Sequence, residues 1–321
     1  MRLLLMVLFS LVSTAHADSC KKLPARFEDN RIYLEVRTSD KKLLKFYTDT
    51  GGGLHPFIYN DTAAKLGLKA ERETREEALT VGYTTLPNAL FVHQGIPIDE
   101  SLKGKTRIFA FNKKGEDEPS QIRFMVGDGF LGASFFADKI WKFDYLKREL
   151  FSCSAFSPVR FSATPMTFKT TLGTRDTHQP RIEVEIEGEK FPVLFDTGAT
   201  SLYSPTAVKA LSPQNAFTAS SFIRESIAKR WLQSHPNWKI IKAGEKFAGG
   251  GDLIEVPLVS LAGHKVGPIW FATRRDDIYD RYSKDIMDSS IAGAVGGNLF
   301  RFFTMIADYP GSKLLVKTAD R

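Results

Sequence analysis

The tripeptide Asp-Thr-Gly occurs twice, as Asp49-Thr50-Gly51 and Asp196-Thr197-Gly198. Two carboxylates brought face to face can do general acid–base work on a water molecule. Like charges a few ångströms apart do not ionise together easily, so one of the pair keeps a proton on the acid side of neutrality. The ionised partner takes a proton from water while the protonated one polarises a carbonyl, so a peptide bond can be hydrolysed with no metal, cofactor or covalent intermediate. The pair titrates as a unit, so neither role belongs permanently to Asp49 or to Asp196. In this chemistry Gly51 and Gly198 allow a tight turn that leaves backbone N–H groups beside each carboxylate. The hydroxyls of Thr50 and Thr197 are placed to hydrogen-bond across to the opposite motif.

Each motif needs an element to deliver it, and the sequence supplies the same one twice. Arg31-Ile32-Tyr33-Leu34-Glu35-Val36 and Arg181-Ile182-Glu183-Val184-Glu185-Ile186 alternate as half-buried strands do. A polar turn follows each, Ser39 to Lys42 and Glu187 to Lys190, and a return strand then runs into the aspartate. A short helix is predicted after each motif. One starts at Ser204-Pro205; the other is capped by Asn60 or Asp61 and closed by Gly67. Further on, Asp128-Gly129-Phe130-Leu131-Gly132-Ala133-Ser134-Phe135-Phe136 matches Ala292-Gly293-Ala294-Val295-Gly296-Gly297-Asn298-Leu299-Phe300. Matched residues stand 164 positions apart, as do Gly132 and Gly296, and Asp144 and Asp308. A fixed offset over so long a stretch argues for duplication of one β-rich unit. The organisation expected is a signal peptide at 1–17, a first lobe at 18–153, a linker at 154–164 and a second lobe at 165–321. Within the second lobe, Ser221 to Gln233 reads as an inserted helix, and Ile240 to Thr273 as hairpins, the first placed to overhang a cleft as a flap. Tyr83 is a weaker flap candidate in the first lobe.

These features resemble the aspartic peptidases of the pepsin and retropepsin type, in which each lobe carries an Asp-Thr/Ser-Gly motif and a later apolar-apolar-Gly segment. Leu194-Phe195-Asp196-Thr197-Gly198-Ala199-Thr200 carries the likeness most closely, with Ala294-Val295-Gly296-Gly297-Asn298 as the later segment; Phe130-Leu131-Gly132 is its first-lobe counterpart. The resemblance implies an all-β fold with a few short helices, in a bilobal pepsin-like arrangement of two retropepsin-like lobes. It also implies an endopeptidase with Asp49 and Asp196 as catalytic residues, supported by Thr50, Gly51, Thr197, Gly198, Gly132 and Gly296. The first lobe departs from the pattern. Thr48 precedes Asp49 where the family has an apolar residue, Gly52-Gly53 follow where it has Ala or Ser and then Ser or Thr, and Leu54-His55-Pro56 lengthens the loop. A second expectation follows from those departures, a cleft that binds peptides without cutting them.

The bulk properties bound the rest. A chain of 321 residues, 43% hydrophobic and 25% charged, has room for two globular lobes. The net charge of +7 comes from scattered Lys and Arg, with no basic stretch interleaved with aromatics, so a solvated basic surface is expected rather than a nucleic-acid site. Arg2, the apolar run Leu3 to Val12 and Ala15-His16-Ala17 read as a secretory signal cleaved after Ala17. The product is expected to be exported, periplasmic or secreted, with no stable membrane association and with no long pro-segment. Cys20 and Cys153, the only two cysteines, are expected to form a disulfide in an oxidising compartment. No cofactor and no metal site are expected. The expected partner is a peptide or protein substrate, and a monomer suffices because both aspartates lie in one chain. A serine-hydrolase elbow, a zinc-protease signature and a phosphate loop ending in Gly-Lys-Ser/Thr do not occur.

Overall fold

The structure is a computed structural model that describes residues 19–38, 42–53, 56–74, 80–86, 91–93, 96–97, 106–111, 127–247 and 249–319. The segment expected to be a signal peptide, residues 39–41 of the expected turn, and Leu54 and His55 lie outside the described residues. The described chain is mostly β-sheet with short helices.

Two large sheets repeat one plan. In the first, the order is Ala70–Thr74, Thr80–Leu86, Thr106–Phe111, Phe57–Tyr59, Gly129–Leu131, Leu43–Thr48, Arg31–Thr38, Phe91–His93 and Ile96–Pro97. In the second it is Ile240–Glu245, Gly251–Val256, Ile269–Arg274, Ser221–Arg224, Gly293–Val295, Glu189–Phe195, Arg181–Ile186, Val259–Leu261 and His264–Val266. Position by position the strands correspond, so the duplication read from the sequence is a duplication of topology. In both halves the strand that ends at the Asp-Thr-Gly motif pairs in parallel with the apolar-apolar-Gly strand. Leu131 lies opposite Thr48, and Val295 opposite Phe195.

A third sheet joins the halves. Its order is Ser19–Lys22, Glu149–Ala155, Ile140–Asp144, Phe303–Asp308, Lys313–Thr318 and Ser162–Pro165. The two central strands, one from each half, pair antiparallel from Ile140 opposite Asp308 to Asp144 opposite Thr304. Above this sheet a core of Phe136, Trp141, Phe143, Phe195, Phe300 and Phe303 runs from one half into the other. Phe143 meets Phe195 edge to face at 5.9 Å between centroids, so the shared sheet packs directly under the strand that carries Asp196. Burying such aromatics contributes on the order of 2–3 kcal/mol each. Cys20 faces Cys153 across the outer pair of strands and is bonded to it, as the sequence predicts.

Four sequence expectations need correction. Residues 154–164 are not simply a linker. Their ends belong to the strands Glu149–Ala155 and Ser162–Pro165, because the shared sheet needs them. Ser221 to Gln233 is not one helix. Ser221–Arg224 is a strand with alternating burial, and the helix is Glu225–Ser234. The first predicted short helix, Asn60–Lys65, is preceded by Tyr59 at the cap position with no side-chain cap; Asp61 accepts from the Thr62 N–H instead. Gly67 does take the left-handed conformation that closes it, with φ of 70°. Finally, Arg31 to Leu34 is buried on both faces, where Arg181–Ile186 alternates. Tyr33 packs on Tyr47 at 5.2 Å, and Lys45 lies over its ring at 4.0 Å. The second short helix, Pro205–Leu211, matches its prediction, with Ser204 Oγ accepting from the Ala207 N–H.

Candidate active site

The parallel pairing fixes where each aspartate emerges. The Asp49 N–H donates to Leu131 O at 3.0 Å, and the Asp196 N–H donates to Val295 O at 3.0 Å. Gly132 and Gly296 follow those acceptors and lie tight against the motif loops. A Cβ on Gly132 would fall 1.9 Å from Gly53 O, and one on Gly296 would fall 2.3 Å from Ser220 O.

The two motifs interlock across the halves. The Thr50 N–H donates to Thr197 Oγ1 at 3.1 Å, the Thr197 N–H donates to Thr50 Oγ1 at 3.0 Å, and the Thr50 hydroxyl donates to Phe195 O at 2.7 Å. Both threonines are fully buried. Within each loop the glycine N–H donates back to its own aspartate, Gly51 to Asp49 Oδ1 and Gly198 to Asp196 Oδ1, each at 2.9 Å. The glycines also press on the opposite carboxylate. A Cβ on Gly51 would sit 2.5 Å from Asp196 Cγ, and one on Gly198 would sit 2.1 Å from Asp49 Cγ. No other residue type leaves room for the carboxylates to meet.

They do meet. Each motif glycine lies against the opposite carboxylate, which leaves Asp49 and Asp196 close enough to shift each other's titration. Burial raises the pKa of both. For Asp196 the neighbouring Asp49 charge adds to burial and holds it well above the usual carboxylate range; for Asp49 the hydrogen bonds from Asp196 and the loop N–H groups offset part of the rise. The pair therefore carries a single charge over a span that extends above ordinary carboxylate titration.

The departures in the first half have a steric reason. A Cβ on Gly52 would lie 2.4 Å from Asp49 Oδ2 and 2.5 Å from Phe130 Cζ. The matching positions in the second half are Ala199 and Ala294. The first half thus fills the space beneath its carboxylate with a phenyl ring, stacked on Phe57 at 5.2 Å, and gives up the methyl group above it. Gly52 is held from the other half, where the Gln179 amide donates to Gly52 O at 3.1 Å. Tyr47 adds a further tie, donating to Gly198 O at 2.6 Å. Thr48, in place of an apolar residue, satisfies its buried hydroxyl on Ile32 O at 2.9 Å.

Both carboxylates line a cavity of about 240 Å³ whose wall is mainly apolar and comes from the second half: Leu194, Phe222, Phe247, Ile278, Tyr279 and Tyr282. Phe247 stands in the loop of the hairpin formed by Ile240–Glu245 and Gly251–Val256, so the hairpin read as a flap does reach the cavity. The side chain of Tyr83 lies outside the described set. Sequence reasoning missed the helix Asp276–Asp285, although its Ile278, Tyr279 and Tyr282 line the cavity and Asp276 and Asp277 mark its first turn. Tyr282 stays 36% exposed at the cavity, and partial burial with the charge of the two aspartates pushes its phenol up to about 12. Sequence reasoning also missed the buried pair of Glu245 and Arg274, which anchors the hairpin loop; Glu245 accepts from the Phe247 and Leu202 N–H groups at 2.9 and 3.3 Å.

Among solved structures, the chain is similar to conglutin gamma, a basic 7S globulin from lupine seeds. The TM-score is 0.51 at 9% identity, over 94% of this chain and 96% of that one. At that identity the likeness concerns the fold alone. No protein-family model matches the chain. No curated protein matches it.

Proposed function

We propose that the chain is an exported aspartic endopeptidase in which Asp49 and Asp196 activate water against a peptide carbonyl. The observation that carries this reading is the pair itself, two buried carboxylates brought together by interlocked motifs on the wall of an open, mainly apolar cavity. In this mechanism the ionised member accepts a proton from water, and the protonated member donates to the scissile carbonyl oxygen. The proton taken from water then passes to the leaving nitrogen, and a hydroxyl of the tetrahedral intermediate returns its proton to the other carboxylate as the C–N bond breaks, which restores the singly charged pair. Thr50, Thr197, Gly51 and Gly198 act as positioning residues, since their hydrogen bonds hold the carboxylates in register. The substrate is a peptide or an unfolded protein segment, and a monomer carries the whole site. The disulfide, together with the absence of any helix among the described residues long and apolar enough to cross a membrane, agrees with export. The signal segment that would direct export lies outside the described residues.

The test is cleavage of a diverse peptide mixture by residues 18–321 from about pH 3 to 7, read by mass spectrometry, with Asp196→Asn alongside. Discrete cuts that fall by about 10²–10⁴-fold in the variant are expected. Equal patterns from the two folded proteins would instead favour a cleft that binds peptides without cutting them, the reading that Gly52-Gly53 first suggested.

A further inference from the structure

A second, larger cavity of about 600 Å³ lies between the halves and shares no lining residue with the cavity of the aspartates. Its volume is within the range of small-molecule sites. Asp29, Tyr145 and Arg148 line it from the first half, and Tyr203, Trp270 and Arg301 from the second.

The charge on this wall is unbalanced. Arg301 is exposed, lies over the Phe302 ring at 4.8 Å and has no carboxylate partner among the described residues. Arg148 donates to Phe27 O at 2.7 Å and likewise meets no carboxylate among them. The one acidic lining residue, Asp29, is already engaged by Arg31 at 3.8 Å and by the Asn215 amide. Two guanidinium groups therefore face the space with their charge uncompensated by the protein.

Tyr145, also in this wall, is 5% exposed, its ring fixed edge to face on Phe27 at 5.2 Å and against Phe300 at 5.9 Å, so this part of the wall is rigid.

We propose that this cavity is a binding site for a small organic anion, a carboxylate or a phosphate ester with an aromatic or planar body. Arg301 and Arg148 would take the oxyanion, and Trp270 and Tyr203 would flank the body. Because the walls come from both halves, the ligand ties them together.

The experiment is isothermal titration and thermal unfolding of the whole exported chain with phenyl phosphate, benzoate and the neutral benzamide. Saturable binding and a raised Tm with one or both anions, and neither with benzamide, are expected. Tighter binding of phenyl phosphate assigns the site to phosphate esters, and tighter binding of benzoate assigns it to carboxylates. Arg301→Gln and Arg148→Gln, both at exposed positions, should each weaken anion binding about tenfold. Equal binding of benzamide, no saturable binding of either anion, or binding unaltered in both variants would overturn the proposal. None of these readouts depends on peptide cleavage.

Discussion

Replacing Thr50 by valine tests how the carboxylates are held. The shape is nearly kept, but the hydroxyl oxygen that accepts from the Thr197 N–H is lost, as is the donor to Phe195 O. Each lost bond is worth about 1 kcal/mol net, and a buried N–H left unpaired adds about 1–3 kcal/mol, so the expected cost is about 3–5 kcal/mol. For 321 residues, an unfolding entropy of about 2.1 cal/mol/K per residue gives about 0.7 kcal/mol/K. The Tm should therefore fall by roughly 4–7 °C. Thr197→Val removes only an acceptor for the Thr50 N–H and should cost about 1 kcal/mol less. Thr50→Ser keeps both roles of the hydroxyl and should stay close to the parent. If the pair cleaves peptides, Thr50→Val also lowers kcat by about 10–100-fold through misplacement of the carboxylates, with the serine variant largely spared. Calorimetry of the three variants at one pH decides the matter. A shift below about 1 °C for Thr50→Val, or an equal loss in Thr50→Ser, would refute the claim that the hydroxyl network joins the halves.

Other consequences follow from the same geometry. The folded-state pKa values of Asp49 and Asp196 are raised, so their contribution to stability is fully present below the unfolded carboxylate value near 4 and is lost as pH rises through the folded values. Asp196→Asn should thus be more stable than the parent at neutral pH, with the gap closing toward pH about 4 in a pH series of Tm values. Gly52→Ala should destabilise by about 1–3 kcal/mol because of Phe130 and Asp49. Adding Phe130→Ala should relieve part of that cost, and strictly additive urea-denaturation energies would contradict the exchange of ring for methyl. Reducing the Cys20–Cys153 bond, which spans 133 residues, should lower stability by about 2–5 kcal/mol, measured as a shift of the urea midpoint with and without dithiothreitol.

The repeat was readable because duplication leaves a fixed spacing, and the glycines at Gly132 and Gly296 leave no tolerance for drift. The same residues that made the motifs visible also told where the strands must lie. Ser221 to Gln233 misled because Phe222 and Ile223 fit a helical stripe as well as a strand; what decides is that Phe222 and Ile223 pair with Ala294 and Gly293, a contact 70 positions away. Local spacing cannot report such a partner. Gln179 and Tyr47 were invisible for a similar reason, since nothing near them in sequence distinguishes a residue that crosses between halves. The reason for Gly52 emerged only when its neighbour proved to be Phe130, because a missing methyl is explained by what occupies the space.

The shared sheet has a consequence for how the molecule is made. Its middle is the pairing of Ile140–Asp144 with Phe303–Asp308, and its last partner is Lys313–Thr318. A chain emerging from its N-terminus can complete much of the first half early, yet the edge of Ile140–Asp144 stays unpaired until residues near the C-terminus arrive. Until then the strand is an open edge, prone to adventitious pairing. Asp49 likewise waits for Asp196 and for the floor that carries it. The strand Phe303–Asp308 must therefore be made before the two carboxylates can be held together, and a nascent chain caught short of it has an edge to protect but no assembled site.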